Sequence, residues 1–553
     1  MAACYRRAAA LASAVAVGAA MLSGCSGGVV DQIDYAVDGA LTSYNTNTAG
    51  GAASAGAQAF GRTLTGFGYR GPDGQVVADR DFGTVAVVGR APLVLDYQIA
   101  DAAVWSDERP VSCDDLVLAW AAQSGRFAGF DAASRAGYVD IAGIDCQSGQ
   151  KKARVTFADG RGIVDYPQLF GATAIMPAHV IAEELGIDTA ALTAALSTGA
   201  APPNDQVERI ALAWNSTWQL KPGLDTAHFP SSGPYKIDSV LDGGAVVLVA
   251  NDRWWGTRAV TKRITVWPQS ADLQDRVTKR AVDVVDVATG SAGPLVTPDG
   301  YQSADSPSGG IEQLIFAPTG PLSQPPARRA LALCTPRDVI ANDAGLTVAN
   351  SRLNTAADDA FDQAENAAEA GQFTHADPAA AREALGDQPM TVRIGYHGPN
   401  PRLAAVVGAI SNACAPAGVE VKELASADTG PQTLRDGHID VLVASTGGAT
   451  GSGSTGSATM DAYELHSDNG NNLSGYRNAD IDGIIDALAV TVDPAEIARL
   501  LAVSTPVLWA DLPTLPLYRQ QRTVLMSKKI YGVGANPTRW GAGWNMDRWA
   551  LQQ

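Results

Sequence analysis

The N-terminal segment constrains this chain more than any other stretch. Arg6 and Arg7 are followed by "AAALASAVAVGAAML" (8–22), an apolar run of about fifteen residues, and then by small residues leading to Cys25. Basic residues, a short apolar run and small residues in that order read as an export leader, and the run is too short to span a bilayer comfortably. The rest of the chain must therefore fold in an oxidising compartment. Of the six cysteines, Cys4 lies in the leader and Cys25 at its end. Cys113, Cys146, Cys334 and Cys414 remain, an even number for which three disulfide pairings exist, with buried free thiols as the alternative. There is no C-x-x-C, so zinc and redox readings lack support.

Leu22-Ser23-Gly24-Cys25 resembles a bacterial lipobox, in which the cysteine becomes the lipid-bearing first residue. The alternative is an ordinary secretory leader that happens to hold a cysteine. The expected location is the outer face of the cytoplasmic membrane, with Cys25 lipidated. No other stretch reaches the ~18 apolar residues of a membrane span. The net charge of the whole chain is −18, with 58 acidic residues. No long basic run offsets it, so a nucleic-acid footprint is absent.

Helical and extended patterns alternate along the chain, with no repeat of 20–50 residues. "VSCDDLVLAWAAQ" (111–123) reads as a helix start, with Ser112 as N-cap and Asp115 completing an acidic capping box. "TVAVVGRAPLVLDYQI" (84–99), 244–252, 262–268, 390–398 and 514–527 read as strands. Residues 270–290 read as helical and then extended. Helices are expected over 325–343, 355–372 and 402–418, and two more over 480–513. The pattern suits an α/β fold with two mixed sheets.

"STGGATGSGSTGSATMDAYELHS" (445–467) contains a formal G-x-G-x-x-G at Gly451, Gly453 and Gly456, after a strand-like "HIDVLVAST". A dinucleotide site fails on context: the chain is exported, and no βαβ unit with the required acidic residue is clear. Asp461 and Glu464 are spaced i, i+3, so a helix would carry both on one face. That spacing could serve as an acid pair for glycoside chemistry, but a solvated face is the plainer reading. Asn478, Asp480 and Asp482 begin like a calcium loop, yet Ala489 stands where a bidentate glutamate is needed, so helix capping fits better. No cofactor or metal is expected, nor an enzyme.

Several ordered segments carry a family resemblance. "VWSDERPVSCDDLVLAW" (104–120), "FPSSGPYKIDSVLDGGAVVLVANDRWWG" (229–256), "RRALALCTPRDVI" (328–340) and "LSGYRNADIDGIIDAL" (473–488) resemble, in order, the signature stretches of the family 5 solute-binding proteins. These are the peptide-, dipeptide- and nickel-binding lipoproteins of ABC importers. The resemblance covers roughly residues 30–550. It implies a two-lobed, periplasmic-binding-protein-like fold with two hinge crossings, placed near Trp267-Pro268 and near Pro506–Pro513. The expected layout is a leader (1–24), a lipid-anchored tether (25–32), an N-terminal lobe (33–267), a C-terminal lobe (268–510) and a return to the N-terminal lobe (511–553). The disulfide pairing that keeps each bridge inside one presumptive lobe is Cys113–Cys146 with Cys334–Cys414.

The same resemblance bears on the ligand. Peptide binders of the family usually carry W-x-x-D-Y-x-D-P where this chain has "TGGATGSGSTGSATM", and the aspartate of that motif pairs with the peptide amino terminus. Here the clamp is missing or rebuilt from Asp461 or Glu464, and the loop itself is either a flexible linker or shaped for a larger ligand. Tyr44, Asn45 and Asn47 sit where the family brings an N-terminal loop near the cleft. Trp540, Trp544 and Asn545 put aromatic faces beside an amide, which suits sugars, with packing as the alternative. The final stretch (517–551) is similar to a mycobacterial lipoprotein relative of these binding proteins. That similarity implies a glycolipid ligand, a phosphatidylinositol mannoside, and a role in mannolipid and lipoarabinomannan biosynthesis. The alternative is an oligopeptide ligand. The implied partners are the cell membrane and either a membrane mannosyltransferase or an ABC permease, with the chain itself a monomer.

Overall fold

The computed structural model describes residues 31–197, 205–353 and 368–552. The leader, Cys25 and most of the tether lie outside the described residues, as does most of the helix expected at 355–372.

Ten strands form one continuous mixed sheet. They are β1 (Gln32–Val37), β2 (Tyr235–Val240), β3 (Val246–Ala250), β4 (Arg263–Trp267) and β5 (Val284–Ala288). The other five are β6 (Tyr301–Phe316), β7 (Met390–His397), β8 (Val419–Ser426), β9 (Val441–Ala444) and β10 (Thr514–Ser527). Their order across the sheet is β8-β7-β9-β6-β10-β5-β1-β4-β3-β2. β1 runs parallel to both β4 and β5, and β7 parallel to both β8 and β9. A separate antiparallel sheet joins Gly83–Arg90, Leu93–Ile99, Lys152–Phe157 and Ile141–Asp145. The two mixed sheets expected from sequence are thus one large mixed sheet and one small antiparallel sheet.

The two halves of the large sheet are joined by β6 and β10, the longest strands, which pair antiparallel from Tyr301↔Ser527 to Ile315↔Thr514. Their register shifts between Pro307 and Ile311, because Pro307 cannot donate to the ladder and the Gly309-Gly310 pair tolerates a bulge. On one side of the shift, Ala36, Leu273, Val277, Val285, Tyr301 and Leu525 share a core. On the other, Leu314, Phe316, Val392, Val443, Leu515 and Leu517 share another. The crossing expected at Trp267-Pro268 therefore precedes a helix (Leu273–Thr278) and a strand, β5, that still pack beside β1. Likewise Pro506 lies inside the helix Pro494–Asp511, before the second through-strand begins.

Local signals account for most elements. Ser112 and Asp115 form the capping box of Cys113–Gln123, and Asn478 caps Ala479–Val490. The single helix expected over 325–343 is two, Pro325–Cys334 and Arg337–Asp343, because Pro336 has no N–H to continue the first. Gly418, at φ +84°, closes the turn after Pro401–Cys414. Cys113 is bonded to Cys146 and Cys334 to Cys414. The last residues return to the first strand: Trp549, fully buried, meets the Tyr35 ring edge-on at 5.1 Å.

Candidate functional site

A cleft of ≈ 260 Å³ opens between the segment Ala40–Ser54 and the wall formed by His397–Thr450. A second space of ≈ 170 Å³ shares Thr42, Gly50, Pro431 and Gln432 with it and extends it toward Asp131 and Arg435. Apolar groups such as Ala40, Ala53, Leu403, Leu442 and Val443 make up most of the surface, and the hydroxyls and amides of Thr42, Ser54, Asn400, Thr429 and Gln432 are set among them. Asn400 and Gly430 each begin a helix at the wall, Pro401–Cys414 and Pro431–Arg435. Among the described residues, no ring of Trp, Tyr or Phe lines the cleft.

The Gly/Ser loop forms one edge of this cleft through Gly448, Ala449 and Thr450. It is a folded element, not a slack linker. The Ser445 hydroxyl donates to Ser452 O at 2.7 Å, Ser308 donates to the Ser452 hydroxyl at 2.8 Å, and that hydroxyl donates to Pro537 O at 2.9 Å. Thr450 Oγ1 donates to Asp38 O at 2.9 Å, which fastens the loop to the end of β1. The approach to β6 is close enough that a Cβ on Gly310 would sit 1.9 Å from Ser452 O.

Asp461 and Glu464 serve this loop. Asp461 accepts from Ser454 Oγ at 2.6 Å, Thr455 N at 2.8 Å and Thr455 Oγ1 at 2.7 Å. Glu464 Oε2 accepts from Gly447 N at 2.7 Å and Gln313 Nε2 at 3.1 Å. Burial raises the pKa of both carboxyls, and that of Glu464 is pushed up to about 7. The solvated helix face read from their spacing is therefore corrected. The helix Ala458–Ala462 is a single turn, and both carboxylates point into the protein because the Gly/Ser backbone supplies them with donors. Neither lines the cleft.

The other residues singled out from sequence are also committed to internal bonds. Tyr44, fully buried, shares a hydrogen bond of 2.8 Å with the Ser231 hydroxyl and packs against Phe60 and Phe229. Asn45 donates to Trp214 O at 3.1 Å and Asn47 to Thr173 O at 2.8 Å. Their neighbours Thr42 and Gly50, not they, face the cleft. Trp544 stacks on Tyr69 and donates to Gly534 O at 2.9 Å. Asn545 bridges Gly532 O and the Trp549 indole, and Arg539 lies over the Trp540 ring. These aromatics pack; they do not line the cleft.

Sequence reasoning missed Glu312, which lies at the cleft floor. Its Oε2 accepts from Arg402 Nη2 at 2.8 Å and Gln520 Nε2 at 2.9 Å. Arg402 also lines a larger cavity of ≈ 530 Å³ that includes Leu295, Asp305, Ile340, Val406 and Thr523. Arg402, which borders the larger cavity, is bonded to Glu312, which borders the cleft, so the pair links the two spaces. Beside it, Arg522 binds Asp286 at 2.7 Å, and Asp38 accepts from Ala288 N at 2.6 Å, both buried.

Residues 91–464 match the sequence profile of the bacterial extracellular solute-binding proteins, family 5, middle region. The chain belongs to family 5 of these proteins. Its relatives within the family include the uncharacterized lipoprotein Rv2585c of Mycobacterium tuberculosis, 69% identical over 543 residues, 98% of this chain and 96% of the relative. More distant is the oligopeptide-binding protein OppA of M. tuberculosis, 25% identical over 84% of this chain and 76% of that protein. Among solved structures, the oligopeptide-binding protein of Thermus thermophilus with a pentapeptide superposes with TM-score 0.73 at 13% identity, covering 94% of this chain and 96% of the other. Family 5 members of this fold are two-lobed binders, and the cleft described above lies between the two halves of the sheet.

Proposed function

We propose that this protein is a lipid-anchored, non-catalytic receptor that holds the polar head of a membrane glycolipid, of phosphatidylinositol mannoside type, in the cleft between residues 40–54 and 397–450. The observation that carries this reading is the fate of the two loop carboxylates. Asp461 is buried and bonded within the Gly/Ser loop, and Glu464, half-buried, is bonded to Gly447 of that loop and to Gln313. The loop therefore offers the cleft Gly448, Ala449 and Thr450, where a peptide amino terminus would need a carboxylate. Burying an ammonium without a counter-charge costs several kcal/mol. The hydroxyl and amide groups of Thr42, Ser54, Asn400, Thr429 and Gln432, set in a mostly apolar lining, can instead bond a polyol whose sugar faces pack on the apolar part, each hydrogen bond contributing about 1 kcal/mol net. The similarity of residues 517–551 to the mycobacterial lipoprotein LpqW supports a role in mannolipid and lipoarabinomannan biosynthesis, with a membrane mannosyltransferase as partner. Anchoring through Cys25 at the outer face of the cytoplasmic membrane would keep the ligand's acyl chains in the bilayer.

A second reading, capture of an oligopeptide for an ABC permease, is favoured by one feature: Asp428 at the cleft wall and Glu312 at its floor are carboxylates. The relative named OppA points the same way.

Calorimetric titration of the detergent-extracted protein with purified phosphatidylinositol mannosides, and separately with a mixed peptide library, tests the two. Gly50 provides the control. It lines the cleft, and a Cβ placed there meets nothing within 4 Å. Gly50→Trp should abolish mannoside binding while leaving the melting temperature unchanged. Peptide binding that is lost in Asp428→Asn would overturn the first reading in favour of the second.

A further inference from the structure

The larger cavity, of ≈ 530 Å³, shares no lining residue with the cleft among the described residues, and its volume is that of a small-molecule site. One part of its lining is polar. Ser303 and Asp305 are two residues apart on β6 and so lie on one face of the strand. Asp305 stands opposite Thr523 of β10, whose hydroxyl donates to Asp305 Oδ1 at 2.7 Å. That hydroxyl has a single proton, so in its 3.0 Å contact with Thr289 Oγ1, just past β5, Thr289 is the donor. Three neighbouring strands thus present a ledge whose hydrogen bonds run toward one carboxylate. The rest of the lining is largely apolar. Leu295 contributes to it, with Ile340 of the helix Arg337–Asp343 and Val406 of the helix Pro401–Cys414. Ala405 and Ala409 are neighbours at i, i+4 on the second helix, and their small side chains leave the space open.

Charge sets the class of ligand. Asp343 ends the first of these helices and adds a second carboxylate to the lining, and both aspartates are exposed. Among the described residues, the one basic side chain in the lining is Arg402, and Glu312 meets its charge at 2.8 Å. Residues 198–204 and 354–367 hold no lysine or arginine, so neither segment can bring a counter-charge. The cavity therefore joins an apolar space to a surplus of negative charge. We propose that it is a second ligand site, for a small amphipathic cation: a primary ammonium carried on an alkyl or aryl body. The body packs on Leu295, Ile340 and Val406. The ammonium, which has three donors and no acceptor, bonds the Asp305 carboxylate and the Ser303 hydroxyl, and Asp343 adds to the attraction. A fatty acid would fill the same apolar space but would be repelled by both aspartates.

Ligand-observed NMR titration of the detergent-extracted protein, measured against protein-free micelles, tests this with hexylammonium, 1-hexanol and hexanoate. Hexylammonium should bind about fivefold more tightly than 1-hexanol, which is what an ion pair at an exposed site gives, and hexanoate more weakly than either. Asp305→Asn/Asp343→Asn should bring the ammonium and the alcohol to equal affinity, since the asparagine carbonyl can still accept from Thr523. Ala409→Trp, which fills part of the cavity, should abolish binding of all three, whereas Gly50→Trp, which fills the cleft, should leave it unchanged. Equal affinity of the unaltered protein for ammonium and alcohol, or hexylammonium binding that survives Ala409→Trp, would overturn the proposal.

Discussion

Arg402 Nη2 lies 2.8 Å from Glu312 Oε2, and both side chains are almost completely enclosed. The pair sits where β6 passes between the two halves of the sheet, with Glu312 bordering the cleft and Arg402 the larger cavity. Removing one member leaves the other buried and uncompensated. Glu312→Ala should therefore lower unfolding free energy by about 3–5 kcal/mol, read by urea denaturation. The double variant Glu312→Ala/Arg402→Met should recover part of that loss, and the double-mutant cycle measures the coupling.

Glu464 gives a pH signature. Its carboxyl is pushed up to about 7 from an ordinary 4.5, chiefly by burial. Between those values the folded protein holds a proton that the unfolded chain has released. Stability attributable to this group is thus fully present below about pH 4.5, declines as pH rises and is gone above about 7, a change on the order of 3 kcal/mol. Both of its hydrogen bonds fall on Oε2, so a glutamine carbonyl can accept them. Glu464→Gln should flatten the dependence of denaturation midpoint on pH in that window and stabilise the protein at pH 8. An unaltered profile would mean that Glu464 titrates normally.

The disulfides make a separable prediction. Cys113–Cys146 spans a sequence separation of 33 and Cys334–Cys414 one of 80. Loop closure of that size contributes roughly 4 kcal/mol each to stability. Replacing either pair with alanines should lower the denaturation midpoint by a comparable amount, and non-reducing peptide mapping of the exported protein should recover both bridged peptides.

The larger cavity lies between Leu295, which packs on the core of Val285 and Tyr301, and the helices Arg337–Asp343 and Pro401–Cys414, through Ile340, Ala405 and Ala409. Ala409→Trp should fill part of it without a clash at the surface, and a change of less than about 1 kcal/mol in unfolding free energy is expected, read by urea denaturation.

Cys25→Ala tests anchoring. It should block lipidation and leave either uncleaved precursor or protein shed from the membrane. A cleaved variant that still partitions with membranes would show that Cys25 is not the anchor.

Much of the fold was legible because its signals are local. Ser112 with Asp115, and Asn478, announce helix starts through their own side chains. β6 was not legible. Pro307, Gly309 and Gly310 punctuate it like a loop, and only its partner β10, about two hundred residues away, holds it extended through the bulge. The site was harder still. The i, i+3 spacing of Asp461 and Glu464 fits a turn of helix, but spacing cannot say which way that turn faces. The direction is set by Ser454, Thr455 and Gly447, small residues whose donors are aimed by the loop's own folding. Thr42, Gly50 and Gln432 carry no pattern at all; they meet only because β1 and the helix Pro431–Arg435 are brought to the same gap.

The contact of Trp549 with Tyr35 joins residues about five hundred positions apart. β1 pairs with β4 and β5, but the ring of Tyr35 on β1 is covered only when the segment that carries Trp549 comes back to it. That part of the core is non-local, so it consolidates only after nearly the whole intervening chain has been brought together.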